Sequence, residues 1–159
     1  MSVDNQAFKN ALKMWASGVA VVTTNSDSGE QGMTVTSFSS VSMDPPQILV
    51  CINESAETGA AIIEGEQFAV NILSSEQEQV SNEFAGGSSM AERFANVAWK
   101  KGELGLPVFD DALVGLECTL VEKVKAGSHW VMIGEVQSTQ VQAADPVLYF
   151  NGGYARVAS

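Results

Sequence analysis

Two long segments near the C-terminus alternate between apolar and polar residues, and this period of two constrains the fold more than any other feature. The segments run from Ala112 to Lys125 and from His129 to Val141, and the short sequence Ala126-Gly127-Ser128 separates them. Successive side chains of a strand point to opposite faces of a sheet, so the alternation predicts two long strands with a turn between them. We therefore expect the chain to fold around an antiparallel sheet.

The rest of the sequence predicts further short strands and a few helices. The predicted strands are 19–24, 33–38, 47–52, 68–73, 147–150 and 154–157, and 25–32 is a predicted turn. The first predicted helix is capped by Asp4 and stopped by Gly18, and the second covers Glu57–Glu64. The third begins at the cap signature of Ser75 and Glu78, and a helical turn follows over Met90–Ala95. Residues 1–159 are thus expected to form a single mainly β domain, a closed or partly closed antiparallel barrel with helices on its outside.

The composition limits the partners of the chain. Eight basic residues against nineteen acidic ones give a net charge of −11. Nucleic acid and anionic membranes are bound by neutralising lysines and arginines, so neither is an expected partner. No apolar run is long enough for a membrane helix, and the N-terminus has no apolar signal segment, so we expect a cytoplasmic protein. Cys51 and Cys118 are expected to be buried, reduced thiols.

A hydroxyl-rich run between Gly32 and Asn53 is the first candidate binding segment. Six Ser and Thr side chains fall between Thr34 and Ser42, before Pro45-Pro46 and an apolar strand. One interpretation is a loop that binds phosphate through backbone amides and hydroxyls, and the other is a polar edge strand running into a proline turn. No Lys or Arg occurs from residue 14 to 92, so Arg93 would supply the nearest cation in sequence, unless it is a solvated helix residue.

Two further features remain open from the residues alone. Asn53, Ser55 and Thr58 lie between a strand end and a helix start, where they form either a phosphate site or an ordinary helix cap. His129 is the only histidine, which argues against a histidine-rich zinc site, and no G-x-S-x-G elbow accompanies it. It is either an exposed turn residue or a functional one. No metal site is expected, and neither a Rossmann nor a P-loop motif is present.

The order of the motifs resembles one known family. GVAVVTT, GMTVTSFSSVSMDPPQILVCIN, S-x-x-T, FAVNIL, EFAG with ERF, G-x-P-V, L-x-C, GSHWVMIGEV and LYFNGGY follow one another from about Phe8 to Tyr154. This series is similar to the flavin reductase domain family, the small reductase components of two-component flavin monooxygenases, such as that of 4-hydroxyphenylacetate 3-monooxygenase. The resemblance implies an FMN-binding split β-barrel with Greek-key-like strands, a homodimer, and a monooxygenase partner that receives reduced flavin.

The same resemblance implies the cofactors and the site residues. The cofactors are FMN or FAD, with NADH or NADPH as hydride donor. The implied flavin contacts are Thr34, Thr36, Ser37, Ser39, Ser40, Cys51, Asn53, Ser55, Thr58, Phe84, Ala85 and Arg93. His129 and the turn from Gly152 to Tyr154 are placed near the nicotinamide nucleotide, and His129 is the candidate catalytic residue. Hydride transfer between two cofactors needs no protein nucleophile, which agrees with the absence of a triad.

Two other functions compete with this one. The first is a non-catalytic flavin-binding protein, and the second is a split-barrel flavoprotein that reduces another acceptor, such as a ferric chelate. The sequence leaves FMN, FAD and riboflavin open as substrates. The scarcity of basic residues favours NADH over NADPH, because a 2′-phosphate usually needs an arginine.

Overall fold

The structure is a computed structural model that describes residues 2–158. Most of its strands belong to one antiparallel sheet of seven. The strands are β1 Ser17–Gly18, β2 Ala20–Ser26, β3 Gly29–Val35, β4 Phe38–Met43, β5 Pro46–Asn53, β6 Gln67–Ile72, β7 Trp99–Lys101, β8 Pro107–Phe109, β9 Val114–Ala126, β10 His129–Val141, β11 Val147–Phe150 and β12 Gly153–Arg156. The large sheet has the order β3-β2-β6-β9-β10-β5-β4, and β1-β11-β12 and β7-β8 form two smaller antiparallel sheets. The predicted long strands are β9 and β10, which pair with each other as an antiparallel hairpin.

Four helices lie around the sheet in the described residues, and their ends partly correct the sequence predictions. They are α1 Asn5–Leu12, α2 Glu57–Gly65, α3 Glu78–Phe84 and α4 Met90–Ala95. Asp4 caps α1 as predicted, since its Oδ1 accepts the N–H of Gln6 at 2.7 Å, but the helix ends before Gly18. The predicted cap of α3 by Ser75 is wrong. Gln77 stands at the N-cap, and its Oε1 accepts the backbone N–H of Ser74 at 3.0 Å.

The predicted turn over 25–32 is too long. Strand β2 continues to Ser26 and β3 begins at Gly29, so residues 27 and 28 alone connect them. Gln31 pairs in register with Thr24 of β2, and both residues are buried in the sheet. Polar residues of the predicted turn therefore form part of β3. The register of the sheet therefore overrides the turn-like composition.

The second half of the hydroxyl-rich run forms an edge strand, as one of its two interpretations predicted, whereas Thr34 belongs to β3 and Thr36 and Ser37 connect the two strands. Strand β4 pairs only with β5 and lies at the end of the seven-strand order. The run then turns through a cis Asp44–Pro45 peptide bond into β5. Its hydroxyl groups are accordingly divided among β3, the two-residue connection and β4, and are not gathered in one loop.

Two hydrophobic cores meet across β2. The barrel core contains Ala20 and Val22 of β2, together with Phe68 and Met132. The second core contains Val21 of the same strand and the aromatic side chains that α3, α4 and β8 contribute, Phe84, Phe94 and Phe109. Because neighbouring residues of β2 point to opposite faces, both faces of this strand are buried.

The two cysteines differ in their surroundings. Both are free thiols, as predicted, but Cys51 is only half-buried, whereas Cys118 is fully buried in the barrel core. Burial, with a smaller contribution from the neighbouring Glu117, raises the pKa of the Cys118 thiol to about 12. Cys118 is thus a packing residue and stays protonated. Among the described residues, none of the helices has the length and apolar character that crossing a membrane requires.

Gly134 gives a test of the barrel core. It follows a register shift between β10 and β9, and a Cβ on it would lie 2.6 Å from Cζ of Phe68 and 2.8 Å from Cβ of Cys118. Gly134→Ala should therefore lower the free energy of unfolding by about 1–3 kcal/mol through overpacking, measured by urea denaturation.

Gly65→Ala is the matched control. Gly65 ends α2, and a Cβ there would have no heavy atom within 4 Å. This variant should keep or slightly raise stability because alanine favours helix. Equal stability of the two variants would contradict the packing of Phe68 on Gly134.

Candidate functional site

Two adjoining cavities lie between β3 and the helices that pack on it. The first, which we call the α2 cavity, measures about 290 Å³ and is lined by Met33, Thr34, Ala56, Glu57, Thr58, Phe84, Ala85, Met90 and Arg93. The second, the turn cavity, measures about 360 Å³ and is lined by Val19, Thr34, Thr36, Ser81, Asn82, Ala85, Tyr149, Gly152, Gly153 and Tyr154. Thr34 and Ala85 line both, so the two cavities adjoin at these residues.

The wall between the cavities is held by hydrogen bonds to α3. Oγ1 of Thr34 donates to the carbonyl oxygen of Ser81 at 2.7 Å. The hydroxyl of Tyr154, which β12 contributes, lies 2.7 Å from both Oγ of Ser81 and Oδ1 of Asn82. These bonds connect β3, α3 and β12, so the groups that line the turn cavity have fixed positions.

Thr58 is the polar side chain with the clearest capacity to bind a ligand. It is the second residue of α2, where backbone N–H groups point outward from the helix. Thr58 is 1% exposed, and its Oγ1 has no hydrogen-bond partner among the described residues. A buried hydroxyl without a partner costs about 1–3 kcal/mol, and a polar ligand in the α2 cavity would remove that cost.

Arg93 lines the α2 cavity and is the sole Lys or Arg among the described residues that line either cavity. Its Nη1 donates to the carbonyl oxygen of Gly32 at 2.9 Å, and its Nε donates to that of Ser88 at 3.2 Å. The alternative of a solvated helix residue is therefore wrong. Arg93 ties β3 to the loop between α3 and α4, where Gly86 and Gly87 adopt positive φ angles of 138° and 88°.

A second group of predicted residues gathers at β4, β5 and the start of β10. His129 pairs in register with Asn53, and Val131 pairs with Cys51, on the face opposite the buried Val50 and Ile52. The Oγ of Ser128 lies 2.8 Å from Nδ1 of His129. This face is separate from the lining of the turn cavity.

Hydroxyl and amide groups in this second group are partly occupied by local bonds. Oγ of Ser37 donates to the carbonyl oxygen of Cys51 at 2.9 Å and accepts the Cys51 N–H at 3.1 Å. Oδ1 of Asn53 accepts from both the N–H and the hydroxyl of Ser55, at 2.9 and 2.8 Å. The Asn53–Ser55 pair thus forms a turn before α2.

The predicted site residues consequently fall into two sets and one outlier. The two adjoining cavities bring together Thr34, Thr36, Thr58, Phe84, Ala85, Arg93, Gly152 and Tyr154. The β4–β5–β10 face holds Ser37, Ser39, Cys51, Asn53, Ser55 and His129. Ser40 is exposed on the other face of β4. His129 is not among the residues that line the turn cavity with Gly152 and Tyr154.

Sequence reasoning missed Ser81 and Asn82, which form part of the turn cavity. A signal was present, because Ser81 lies four residues before Ala85 in a predicted helix and therefore on the same side of it. A site at Ala85 implies that Ser81 lies near it.

Comparisons with known proteins agree with this architecture. The sequence profile of the family described as "Flavin reductase like domain" matches residues 12–158. The chain is 38% identical over 159 residues to the FMN reductase (NADH) RutF of Pseudomonas syringae, covering 99% of this chain and 89% of that protein. It is 36% identical to the 4-hydroxyphenylacetate 3-monooxygenase reductase component of Pseudomonas aeruginosa, covering 96% of this chain and 91% of that protein.

A solved structure is similarly close. The NADH:FAD oxidoreductase SgcE6 of Streptomyces globisporus, solved in complex with NAD and FAD fragments, matches with a TM-score of 0.92 and 31% identity, covering 99% of this chain and 97% of that one. The chain therefore belongs to the flavin reductase like domain family. The prediction of a mainly β split barrel with few helices is confirmed.

The unpaired hydroxyl of Thr58 gives a prediction about stability. Thr58→Val removes a buried hydroxyl that has no partner, so the ligand-free protein should keep its free energy of unfolding or gain up to about 1 kcal/mol. The matched control is Thr23→Val. Oγ1 of Thr23 donates to the carbonyl oxygen of Pro107 at 2.6 Å, so its loss should cost about 1–3 kcal/mol. Urea denaturation compares the two, and an equal loss in both would show that Thr58 has an internal partner.

Proposed function

We propose that this protein is a flavin reductase that transfers a hydride from NADH or NADPH to FMN or FAD and supplies the reduced flavin to a flavin-dependent monooxygenase. The observation that carries the proposal is the α2 cavity, whose lining includes both Thr58, with its buried and unpaired hydroxyl, and the cation Arg93. The names of the relatives, an FMN reductase (NADH) and a monooxygenase reductase component, support it.

The residues of the α2 cavity suit the phosphate end of a flavin nucleotide. Thr58 Oγ1 and the first N–H groups of α2 would donate to phosphate oxygens, and Arg93 would offset the negative charge. A chain with a net charge of −11 needs such a local arrangement to hold an anion. Phe84 and Met33 supply an apolar wall at the same cavity.

The turn cavity suits ring systems stacked on one another. A bound flavin supplies the hydride-accepting chemistry, so the protein has to position the rings and exclude water. Thr34 and Thr36 offer polar groups at one side, and Gly152 and Gly153 allow close approach of backbone at the other. Tyr154 is fixed by its contacts with α3 and would keep this side rigid.

We further propose a single domain over residues 1–159 that forms a homodimer in the cytoplasm. The exposed edge of β4 supports the dimer, because Val41 and Met43 are 44% and 89% exposed there. The β9–β10 hairpin adds exposed Val121 and Val124. Two free thiols agree with a reducing compartment. Ser37, Ser39, Cys51, Asn53, Ser55 and His129 are proposed to complete the nucleotide site, and Ser40, on the other face of β4, remains a predicted contact.

The first test measures NADH oxidation at 340 nm with and without added FMN, FAD or riboflavin. The proposal predicts turnover that rises and saturates with free flavin. Thr58→Val should raise KM for FMN about five- to tenfold while changing KM for riboflavin less than twofold, since riboflavin has no phosphate. Flavin binding without turnover by NADH or NADPH would overturn the enzyme and favour a flavin-binding protein. Turnover only with a ferric chelate and a retained flavin would also contradict the proposal.

A second test addresses His129, which is proposed to orient the nicotinamide. His129→Ala should raise KM for NADH about fivefold or more and change the flavin Kd less than twofold, because one polar contact to the nucleotide is lost. Thr139→Ala, on an exposed position of the same strand, is the control and should leave both constants unchanged. Steady-state kinetics and flavin fluorescence titration give the two constants. Unchanged kinetics in the histidine variant would remove His129 from the site.

A further inference from the structure

A third cavity, the α1 cavity, continues from the turn cavity toward the N-terminal helix. It measures about 340 Å³, and Thr36 and Tyr149 belong to the lining of both cavities. The space proposed for stacked rings therefore lies next to a cavity at the C-terminal end of α1. There the backbone N–H of Asn151 donates to the carbonyl oxygen of Lys13 at 2.9 Å and attaches α1 to the β11–β12 turn.

Two cations line this cavity in a strongly acidic protein. Lys9 and Lys13 are four residues apart, so their side chains share one face of the helix end. They are two of only eight basic residues in the chain. Within residues 2–158, the lysine ion pairs are Lys100–Asp110 and Lys125–Glu54, so no carboxylate neutralises this pair. Like charges at this spacing repel, and a bound anion would relieve the repulsion.

An exposed indole stands beside the two lysines. Trp15 lines the α1 cavity, yet it is 77% exposed. None of the residues of α1 is buried, so neither the helix nor Trp15 is needed for either hydrophobic core. A flat aromatic surface at the edge of a cavity is suited to stacking on a heterocyclic base.

We propose that the α1 cavity binds the adenosine diphosphate half of a dinucleotide substrate, with Trp15 stacked on the adenine and Lys9 and Lys13 paired with the phosphates. This inference rests on the proposed function, since it assigns the far end of the same substrate. NADH can place this whole group in the α1 cavity. In FAD the first of the two phosphates is the flavin phosphate assigned to the α2 cavity, so only its second phosphate and its adenosine would reach the α1 cavity. FMN and reduced nicotinamide mononucleotide lack the adenosine. The α1 cavity would therefore make the enzyme distinguish dinucleotides from mononucleotides.

The direct test measures binding to the purified full-length protein. Fluorescence titrations give the Kd of FMN and FAD, and calorimetry gives the Kd of ADP-ribose, which carries the adenosine diphosphate group alone. Trp15→Ala should weaken binding of ADP-ribose about tenfold, as expected for loss of a base-stacking contact, and leave FMN within twofold. Trp15→Phe should restore most of the loss, because it keeps an aromatic face.

The lysines are tested with a charge-matched control. The double variant Lys9→Gln with Lys13→Gln should weaken ADP-ribose about five- to tenfold, with a smaller loss in high salt. The control, Lys100→Gln with Lys101→Gln, removes the same charge from β7 and should change the Kd less than twofold. A larger loss of ADP-ribose affinity in the control than in Lys9→Gln with Lys13→Gln would show that net charge governs binding. That result would overturn the proposal of a local site.

Kinetics then identify which dinucleotide uses the cavity. A rise in KM for FAD but not FMN in Trp15→Ala assigns the cavity to the flavin, and a rise in KM for NADH but not for reduced nicotinamide mononucleotide assigns it to the hydride donor. Either result supports the proposal. Equal changes for dinucleotide and mononucleotide, or unchanged ADP-ribose binding, would overturn it. So would a Trp15→Ala variant that loses its oligomeric state in light scattering, because Trp15 would then contact a second copy of this chain.

The outcomes separate this inference from the proposed function. If no flavin is reduced but ADP-ribose binding depends on Trp15 and the lysine pair, the reductase proposal fails while the adenosine diphosphate site stands. If flavin is reduced and the variants bind ADP-ribose as the unaltered protein does, the reductase stands and the α1 site fails.

Discussion

Strand β2 has both faces buried, and this constraint determines where the candidate site lies. Ala20 and Val22 fill the barrel core, whereas Val21 packs with the aromatic side chains of α3 and α4. Those helices must therefore lie outside the barrel against β2 and its neighbour β3. Thr34 pairs in register with Val21 and so shares its outward face. The outer face of β3 thereby becomes the floor of the cavities, and folding of the second core builds their walls.

One glycine and one arginine set how closely the helices approach this floor. A Cβ on Gly32 would lie 2.8 Å from Cε1 of Phe84, so a larger residue would push α3 away from β3. The carbonyl oxygen of the same glycine accepts a hydrogen bond from Arg93. The arginine thus has two effects at once: it fixes the loop after α3, and it brings a positive charge to a stretch of sequence that otherwise contains none. Stability and ligand binding are expected to be coupled at this residue.

Much of the fold was predictable because alternation reports directly on a sheet with one buried face. The β9–β10 hairpin and β5 carry that signal, whereas β2 and β6 are short apolar runs buried on both faces. The errors occur where a tertiary partner outweighs local preference. The turn-like residues before Gly32 pair with β2, and Gln77 rather than Ser75 occupies the cap position because its amide bonds to the Ser74 backbone. The second core could not be predicted, since Phe84, Phe94 and Phe109 meet only after the chain has folded.

The candidate site shows the same limit of prediction from sequence. Hydroxyl groups of the same chemistry have different partners in the structure. Ser37 lies in the richest hydroxyl run, yet its Oγ is bonded to both backbone groups of Cys51. Thr58 lies in a sequence typical of an ordinary helix start, yet its Oγ1 is buried without a partner. Residue type and spacing do not distinguish Ser37 from Thr58. Their burial and their hydrogen-bond partners do. A hydroxyl already bonded must lose that bond to contact a ligand, whereas an unpaired one gains a bond, so we expect Thr58 to contribute more to ligand affinity than Ser37.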